Sequence, residues 1–306
     1  MHKVVAAVDI GTTSVKLLIR SAAGELVRQV TVTGLGEGVA HAGRLSEAAI
    51  ERTCTALSAF RDEIAAHGAD AVRCVATSAS REAANRDEFF DRAAAALGVR
   101  PVLLSGTDEA LLGYRGARSG FRDLTGSVGT LDIGGGSTEL SIGTAHGVQG
   151  VSIDLGARVL TDLDFRHDPP WASELSNAIG RAHDGVEDAL REVPDLGSID
   201  RLLGVGSTIT TVARVEIGQA VFARDELHGF VLTRAAIEDV FRTLATESLA
   251  DRVHNPGLAA DRAELIVGGC CVLVAVMRRL QLDELTVSLT NLLDALALDL
   301  LRGDDE

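Results

Sequence analysis

Two short segments combine residue types suited to phosphate chemistry. Residues 9–17 read D-I-G-T-T-S-V-K-L, and residues 132–140 read D-I-G-G-G-S-T-E-L. Asp, Ile, Gly, Ser and Leu coincide at a constant offset of 123, Asp132 against Asp9. In such a turn glycine lets the backbone approach a ligand closely, and successive N–H groups form an anion nest. The carboxylate of Asp9 or Asp132 can hold a cation directly or through water. Two such turns facing one another would grip a phosphate chain and its Mg2+. Gly11, Thr12, Thr13 and Ser14 would lie on one side, with Gly134, Gly135, Gly136 and Ser137 on the other. Two unrelated glycine hairpins would give the same letters.

Further residues extend this chemistry. Gly204-Val205-Gly206-Ser207-Thr208 joins a strand to a helix, so Gly206, Ser207 and Thr208 would add a helix N-terminus to anion binding. An ordinary strand–helix turn reads the same way. Of the 29 basic residues only Lys3 and Lys16 are lysines. Lys16 follows the first turn closely enough to reach a bound phosphate, though a solvent-facing strand lysine fits equally. Arg81, after Thr-Ser-Ala-Ser, could clamp phosphate oxygens in a fork or form a surface ion pair. Asp108 and Glu109 open a helix. They are either a helix-dipole preference or a carboxylate poised to deprotonate water.

The elements that must position these residues follow from periodicity. Residues 4–8, 15–20 and 26–33 read as a β-meander. Ser46 caps a helix whose apolar residues Ile50, Cys54, Leu57, Phe60 and Ile64 recur at helical spacing, and Gly68 stops it. A strand at 72–76, a helix over 81–97, a strand at 102–104 and a helix capped by Thr107 and running to 118 complete this half. Residues 119–127 are polar and glycine-bearing, a boundary after which the pattern restarts. Strands are expected at 128–133, 138–142, 148–153, 202–205 and 285–288. Helices are expected at 157–164, 172–192, 208–217, 233–246, 259–280 and 291–302. Two related βββαβα halves with a ligand cleft between them are the expectation.

Composition narrows the alternatives. The chain has 306 residues, is 46% hydrophobic and carries a formal charge of −15. That much apolar content builds a core, so wholesale disorder is excluded. No basic stretch offsets the negative charge, which argues against DNA as a partner. The charge also predicts that moderate salt aids polyanion binding, unless basic residues concentrate in the cleft. Cys54, Cys74, Cys270 and Cys271 form no C-x-x-C pair and suggest reduced thiols, hence a cytoplasmic protein. The N-terminus reads as no signal peptide, and the longest apolar run, 265–277, is too short for a bilayer.

Taken together, residues 8–18, A-T-S-A-S-R-E-A-A-N (76–85), L-S-G-T-D-E-A (104–110), L-D-I-G-G-G-S-T-E-L (131–140) and G-V-G-S-T (204–208) resemble the exopolyphosphatase / guanosine pentaphosphate phosphohydrolase (Ppx/GppA) family. Collinear matches at 154–161, 168–170, 227–233 and 256–263 carry the resemblance over nearly the whole chain. It implies an α/β fold of two actin-like (ribonuclease H-like, ASKHA superfamily) domains, 1–124 and 125–306, with the site in the interdomain cleft. It implies a Mg2+-dependent hydrolase releasing terminal phosphate from inorganic polyphosphate or guanosine pentaphosphate, in the short two-domain form, with pairing into a homodimer. On the family pattern Glu109 is the catalytic carboxylate. Asp132 and Glu139 are associated with metal and catalysis, and Arg81 with phosphate; Asp9, from the chemistry of the first turn, adds a third carboxylate to the metal. The chain departs from the pattern at Thr13, Leu111, Ser207 and most of 287–296, which bears on substrate choice. Two other functions use the same residues: a small-molecule kinase of the actin-like superfamily, suggested by G-T-T-S, and a non-catalytic polyphosphate- or nucleotide-binding protein.

Overall fold

The apolar runs that open each half become central strands of two separate sheets. In the computed structural model, which describes residues 3–303, the first sheet contains β1 (Val4–Ile10), β2 (Ser14–Ser21), β3 (Gly24–Val32), β4 (Ala71–Ala76) and β5 (Val102–Leu103) in the order β3-β2-β1-β4-β5. The second contains β6 (Val128–Ile133), β7 (Thr138–Thr144), β8 (Gly147–Ile153), β9 (Arg201–Val205), β10 (Val231–Thr233) and β11 (Glu284–Val287) in the order β10-β11-β9-β6-β7-β8. Each half opens with an antiparallel meander, and its first strand then pairs in parallel with its fourth. Counted within each half, both sheets share the strand order 3-2-1-4-5, and β10 is an added edge. This is the pair of related halves that the repeated turns lead one to expect, in the α/β fold that the family resemblance implies.

The helices, in chain order, are α1 (Val39–Ala42), α2 (Glu47–Ala66), α3 (Ser78–Glu82), α4 (Arg86–Leu97), α5 (Gly106–Ser119), α6 (Ala157–Asp164) and α7 (Ala172–Glu192). They continue as α8 (Gly206–Glu216), α9 (Arg224–Leu227), α10 (Arg234–Thr246), α11 (Leu249–Arg252), α12 (Ile266–Arg279) and α13 (Leu292–Arg302). β1 is buried on both faces, which is why it reads as an unbroken apolar run. Ala6, Val8 and Ile10 pack on α2 and α4, while Val5 and Ala7 pack on Leu293, Leu296 and Leu300 of α13. β6 is likewise enclosed. Leu131 and Ile133 face the cluster built from α7, α8, α10 and α12, and Val128 faces Tyr114 and Ala117 of α5. α5 and α13 therefore lie against each other between the two sheets. Gly116 makes the crossing possible, because a Cβ there would overlap the Asn291 carbonyl.

Several elements differ from the sequence expectation, among them the unexpected short helices α1, α9 and α11. The single helix expected over 81–97 is two, α3 and α4. Asn85 breaks it by exchanging hydrogen bonds with the Leu45 backbone, at 2.9 Å to its Oδ1 and 3.1 Å from its Nδ2. The helix expected from 259 begins at Ile266, after a 3-10 turn at Ala260–Arg262. The Ala263 carbonyl there accepts from buried Arg252 Nη1 at 3.0 Å. β10, too short to announce itself, was not expected. No helix among the described residues is long and apolar enough to cross a membrane.

Candidate active site

The two glycine turns have the same geometry. Gly11 N donates to Ser14 O at 3.1 Å, and Gly134 N to Ser137 O at 2.9 Å. Strand register then puts Asp9 opposite Lys16 in one half and Asp132 opposite Glu139 in the other, so Lys16 and Glu139 occupy equivalent positions. The turns abut across the cleft. A Cβ on Gly135 would overlap Thr13 Oγ1, and one on Gly136 would overlap Thr12 Oγ1 and Ser78 Oγ. Gly135 and Gly136 are thus needed for lobe-to-lobe approach as well as for backbone exposure, whereas a Cβ on Gly134 would meet Ser137 O of its own turn at 3.1 Å. α6 fixes the outer side of the second turn, where Ala157 N and Arg158 N donate to the carbonyls of Gly134 and Gly135 at 2.9 and 2.8 Å. The amides of Thr12, Thr13, Gly135 and Gly136 have no backbone partner among the described residues. α8 adds an N-terminus without a side-chain cap. Gly206 turns into it at φ +87°, where a Cβ would overlap Asp132 Oδ1. Donors from three turns are therefore available to an anion.

A cavity of about 320 Å³ lies between these turns. Asp9, Gly11, Thr12, Thr13, Ser14, Lys16, Glu109, Asp132, Gly134, Gly135, Gly136, Ser137, Glu139, Gly206, Ser207 and Thr208 all line it. Arg81 does not line it, and reaches it through Glu109.

Glu109 sits in the first turn of α5. Ser105, rather than Thr107, is the cap of that helix, and its Oγ accepts from Asp108 N at 3.1 Å. This separates the two adjacent acids: Asp108 stays exposed with Ser105, while Glu109 turns inward. Arg81 Nη1 donates to Glu109 Oε2 at 2.5 Å, and the two side chains are only 17% and 14% exposed. Arg81 Nη2 is buried and has no partner among the described residues. Burial raises the Glu109 carboxyl to about 7 against the opposing pull of Arg81, with Asp9 and Asp132 adding to the rise. Burial, then Glu109 and Asp132, push Glu139 well above the usual carboxylate range, although Ser152 Oγ donates to its Oε1 at 2.7 Å. Burial also raises Asp132, which Lys16 opposes and Asp9 reinforces. Lys16 Nζ donates to Asp9 Oδ2 at 2.7 Å. Burial alone would lower the Lys16 ammonium, but Asp9 and Asp132 outweigh it and hold the group charged. Three buried carboxyls raised above their ordinary range around one cavity, Glu109, Asp132 and Glu139, are the arrangement expected where acid–base chemistry is done.

The profile of the Ppx/GppA phosphatase family matches residues 18–302. The chain belongs to this family. Exopolyphosphatase 2 of Mycobacterium tuberculosis is 34% identical over 97% of this chain and 98% of its own length. The guanosine-5'-triphosphate,3'-diphosphate pyrophosphatase of Vibrio atlanticus is 26% identical over 96% of this chain, which spans 59% of that protein. The crystal structure of an exopolyphosphatase-like protein superposes with a TM-score of 0.93 at 31% identity, covering 98% of this chain and 99% of that one.

This Ppx/GppA cleft also contains residues that sequence reasoning did not single out. Arg28, Arg214, Arg224 and Arg262 line it along with Lys16. Arg262 Nη1 donates to Ser207 Oγ at 3.3 Å, next to the third turn. Arg262 lies within the matched 256–263 segment, so its motif was the available signal. The other three arginines come from β3, α8 and α9 and share no local pattern. Asn291, Leu292 and Leu293 line the cavity from the segment that departs most from the family pattern.

Proposed function

We propose that this chain hydrolyses terminal phosphoanhydride bonds, releasing orthophosphate from inorganic polyphosphate or guanosine pentaphosphate by attack of water in the cleft. The names of the relatives support both substrates. The observation that carries the reading is Glu109, buried, raised to about 7 and braced by Arg81 beside two abutting glycine turns.

In this mechanism the terminal phosphoryl group sits against the free amides of the turns at 11–14 and 134–137 and the N-terminus of α8. Glu109, as carboxylate, takes a proton from water. The water oxygen bonds to phosphorus while the bridging P–O bond breaks, and the shortened chain leaves carrying that oxygen. Lys16 offsets charge on the phosphoryl oxygens while Arg81, outside the cavity, holds Glu109 in place, so that positioning and electrostatics supply most of the acceleration.

The donor set suits Mg2+. Asp9 Oδ1 is buried without a hydrogen-bond partner, and Asp132 and Glu139 face the same cavity. Among the described residues no three His, Cys, Asp or Glu converge as a self-sufficient metal cage. Mg2+ asks for less, since it takes one or two carboxylates and completes its shell with water and substrate phosphate. One or two of Asp9, Asp132 and Glu139 would hold it, and when bound it would neutralise phosphate charge.

The proposal extends to a cytoplasmic setting, which four free cysteines suit, and to a homodimer, which sedimentation tests. The decisive experiment is phosphate release in isotope-labelled water with Mg2+. Label in the orthophosphate supports hydrolysis. Unlabelled phosphate transferred to an added sugar would instead mean a kinase.

A further inference from the structure

The matched segment 227–233 contributes nothing to the lining of the cavity, so the phosphate site leaves its one titratable side chain, His228, without a task. His228 stands half-buried on the loop between α9 and β10. Its Nε2 lies 3.1 Å from the Gly120 carbonyl oxygen, and Leu289 N donates to its Nδ1 at 3.2 Å. A carbonyl accepts and an amide donates, so the ring serves both partners only with its hydrogen on Nε2 and a lone pair on Nδ1. The ring also packs on Phe121, with centroids 4.6 Å apart. The joint is tight, since a Cβ on Gly120 would stand 2.7 Å from His228 Cε1 and 2.5 Å from Thr290 Oγ1.

The two segments that His228 joins decide how the halves of the molecule meet. Gly120 ends α5, whose Tyr114 and Ala117 pack on Val128, Leu203 and Val205 of the second sheet. Ser141 Oγ of β7 donates to Ala110 O at 2.9 Å, so the end of α5 that carries Glu109 is tied to the same sheet. Leu289 lies in the stretch 288–291, where the chain leaves β11 and enters α13, and α13 packs on Val5, Ala7, Leu18 and Val75 of the first sheet. Ser288 Oγ and Thr290 Oγ1 donate to Ala117 O at 3.2 and 3.1 Å, so this crossing rests on the last turns of α5. His228 adds a second tie to that joint. Glu109 therefore goes with the second half, whereas Arg81 and the turn at 11–14 belong to the first. From Gly120 to Glu109 is about 16 Å of helix, so a tilt of about 4° between the halves at this joint displaces Glu109 by about 1 Å. Displacements of that size cost about 100-fold in rate.

We propose that His228 is a positioning residue: by tying the end of α5 to the crossing that enters α13, it fixes the angle between the halves and so the place of Glu109 against the first turn and Arg81. The role rests on the hydrolysis proposed above, and two measurements test it. The first needs no variant to fold well. In wild-type protein with isotope-labelled histidine at about pH 8, above the ordinary imidazole range, a long-range proton–nitrogen spectrum should show His228 with hydrogen on Nε2 alone. Its signals are those lost in His228→Gln. Hydrogen on Nδ1 overturns the proposal, because the Leu289 amide could not then donate to that atom. The second measurement is kinetic. His228→Asn keeps an acceptor for Leu289 and loses the reach to Gly120, while His228→Gln keeps a donor for Gly120 and loses the acceptor. In both, kcat for phosphate release with Mg2+ should fall about tenfold or more, because either change opens the tie. The Kd of inorganic tripolyphosphate should stay within about twofold, since the turns that hold phosphate are untouched. An unchanged kcat, or a raised KM with kcat intact, overturns the proposal. So does a loss of kcat matched by an equal loss of binding, which would mean general support of the fold. If wild type is active and the variants keep its kcat, only the positioning role fails. If wild type releases no phosphate, the proposed hydrolysis fails and the positioning role fails with it, whatever the spectrum shows.

Discussion

Glu109 is held between opposing influences. Burial disfavours its charge, Arg81 favours it, and the balance lies at about 7. A carboxylate is required to accept the proton of water, so kcat/KM should rise with pH through an acid limb near 7 and flatten above it. Because the charge of Glu109 raises Glu139, that limb belongs to the pair. Arg81→Leu removes the group that lowers Glu109, so the limb should move to higher pH; a limb left in place would contradict the assignment. At this scale the sequence was legible where a residue recurs in a motif. The repeated turns point to Asp9 and Asp132, and the family pattern points to Glu109 and Glu139. The same letters did not reveal that Arg81 acts on Glu109, because residues on different helices meet only through the fold. Without the family pattern the letters do not separate Asp108 from Glu109; the fold does, because Ser105 Oγ donates to Asp108 Oδ2.

The turns work as a pair of elements, and their contact is the most demanding packing in the site. Gly135→Ala puts a methyl group onto Thr13 Oγ1 and must push the turns apart. Activity should fall by about 100-fold, since small misplacements of reacting groups cost that much, with little loss of stability. Thr13→Ala in the same chain should recover part of the loss. Asn85 has a different task, tying the α3–α4 break to Leu45. Asn85→Ala should lower unfolding free energy by about 1–3 kcal/mol, as expected when buried backbone groups lose partners, and urea titration would read it. Strands and long helices were legible because their periodicity is local, as with Ile50, Leu57 and Ile64 of α2. The α3–α4 break was not, because Asn85 acts across 40 residues of chain. β10 has three residues and takes its identity from β11.

For the whole molecule, net charge and local charge point in opposite directions. The chain carries −15, yet Lys16, Arg28, Arg214, Arg224 and Arg262 all line the cleft. The condition that would reverse the salt expectation is therefore met. At fixed Mg2+, polyphosphate affinity should weaken about tenfold between about 50 and 200 mM salt, as counterion release requires of a polyanion on a cationic track. Strengthening with salt would mean that the global field dominates. The duplicated fold was readable from two nine-residue segments because duplication preserved their turns. The cationic lining was not, because its arginines come from β3, α8, α9 and the segment before α12. The central claim is that this cleft hydrolyses phosphoanhydride bonds through Glu109. Its most direct test is phosphate release from long-chain polyphosphate and from guanosine pentaphosphate with Mg2+, for wild type and Glu109→Gln, with binding measured alongside. Release by wild type that drops by about 100-fold or more in the variant, with binding retained, is the predicted result. Equal release by both proteins, or none from either substrate by wild type, would contradict it.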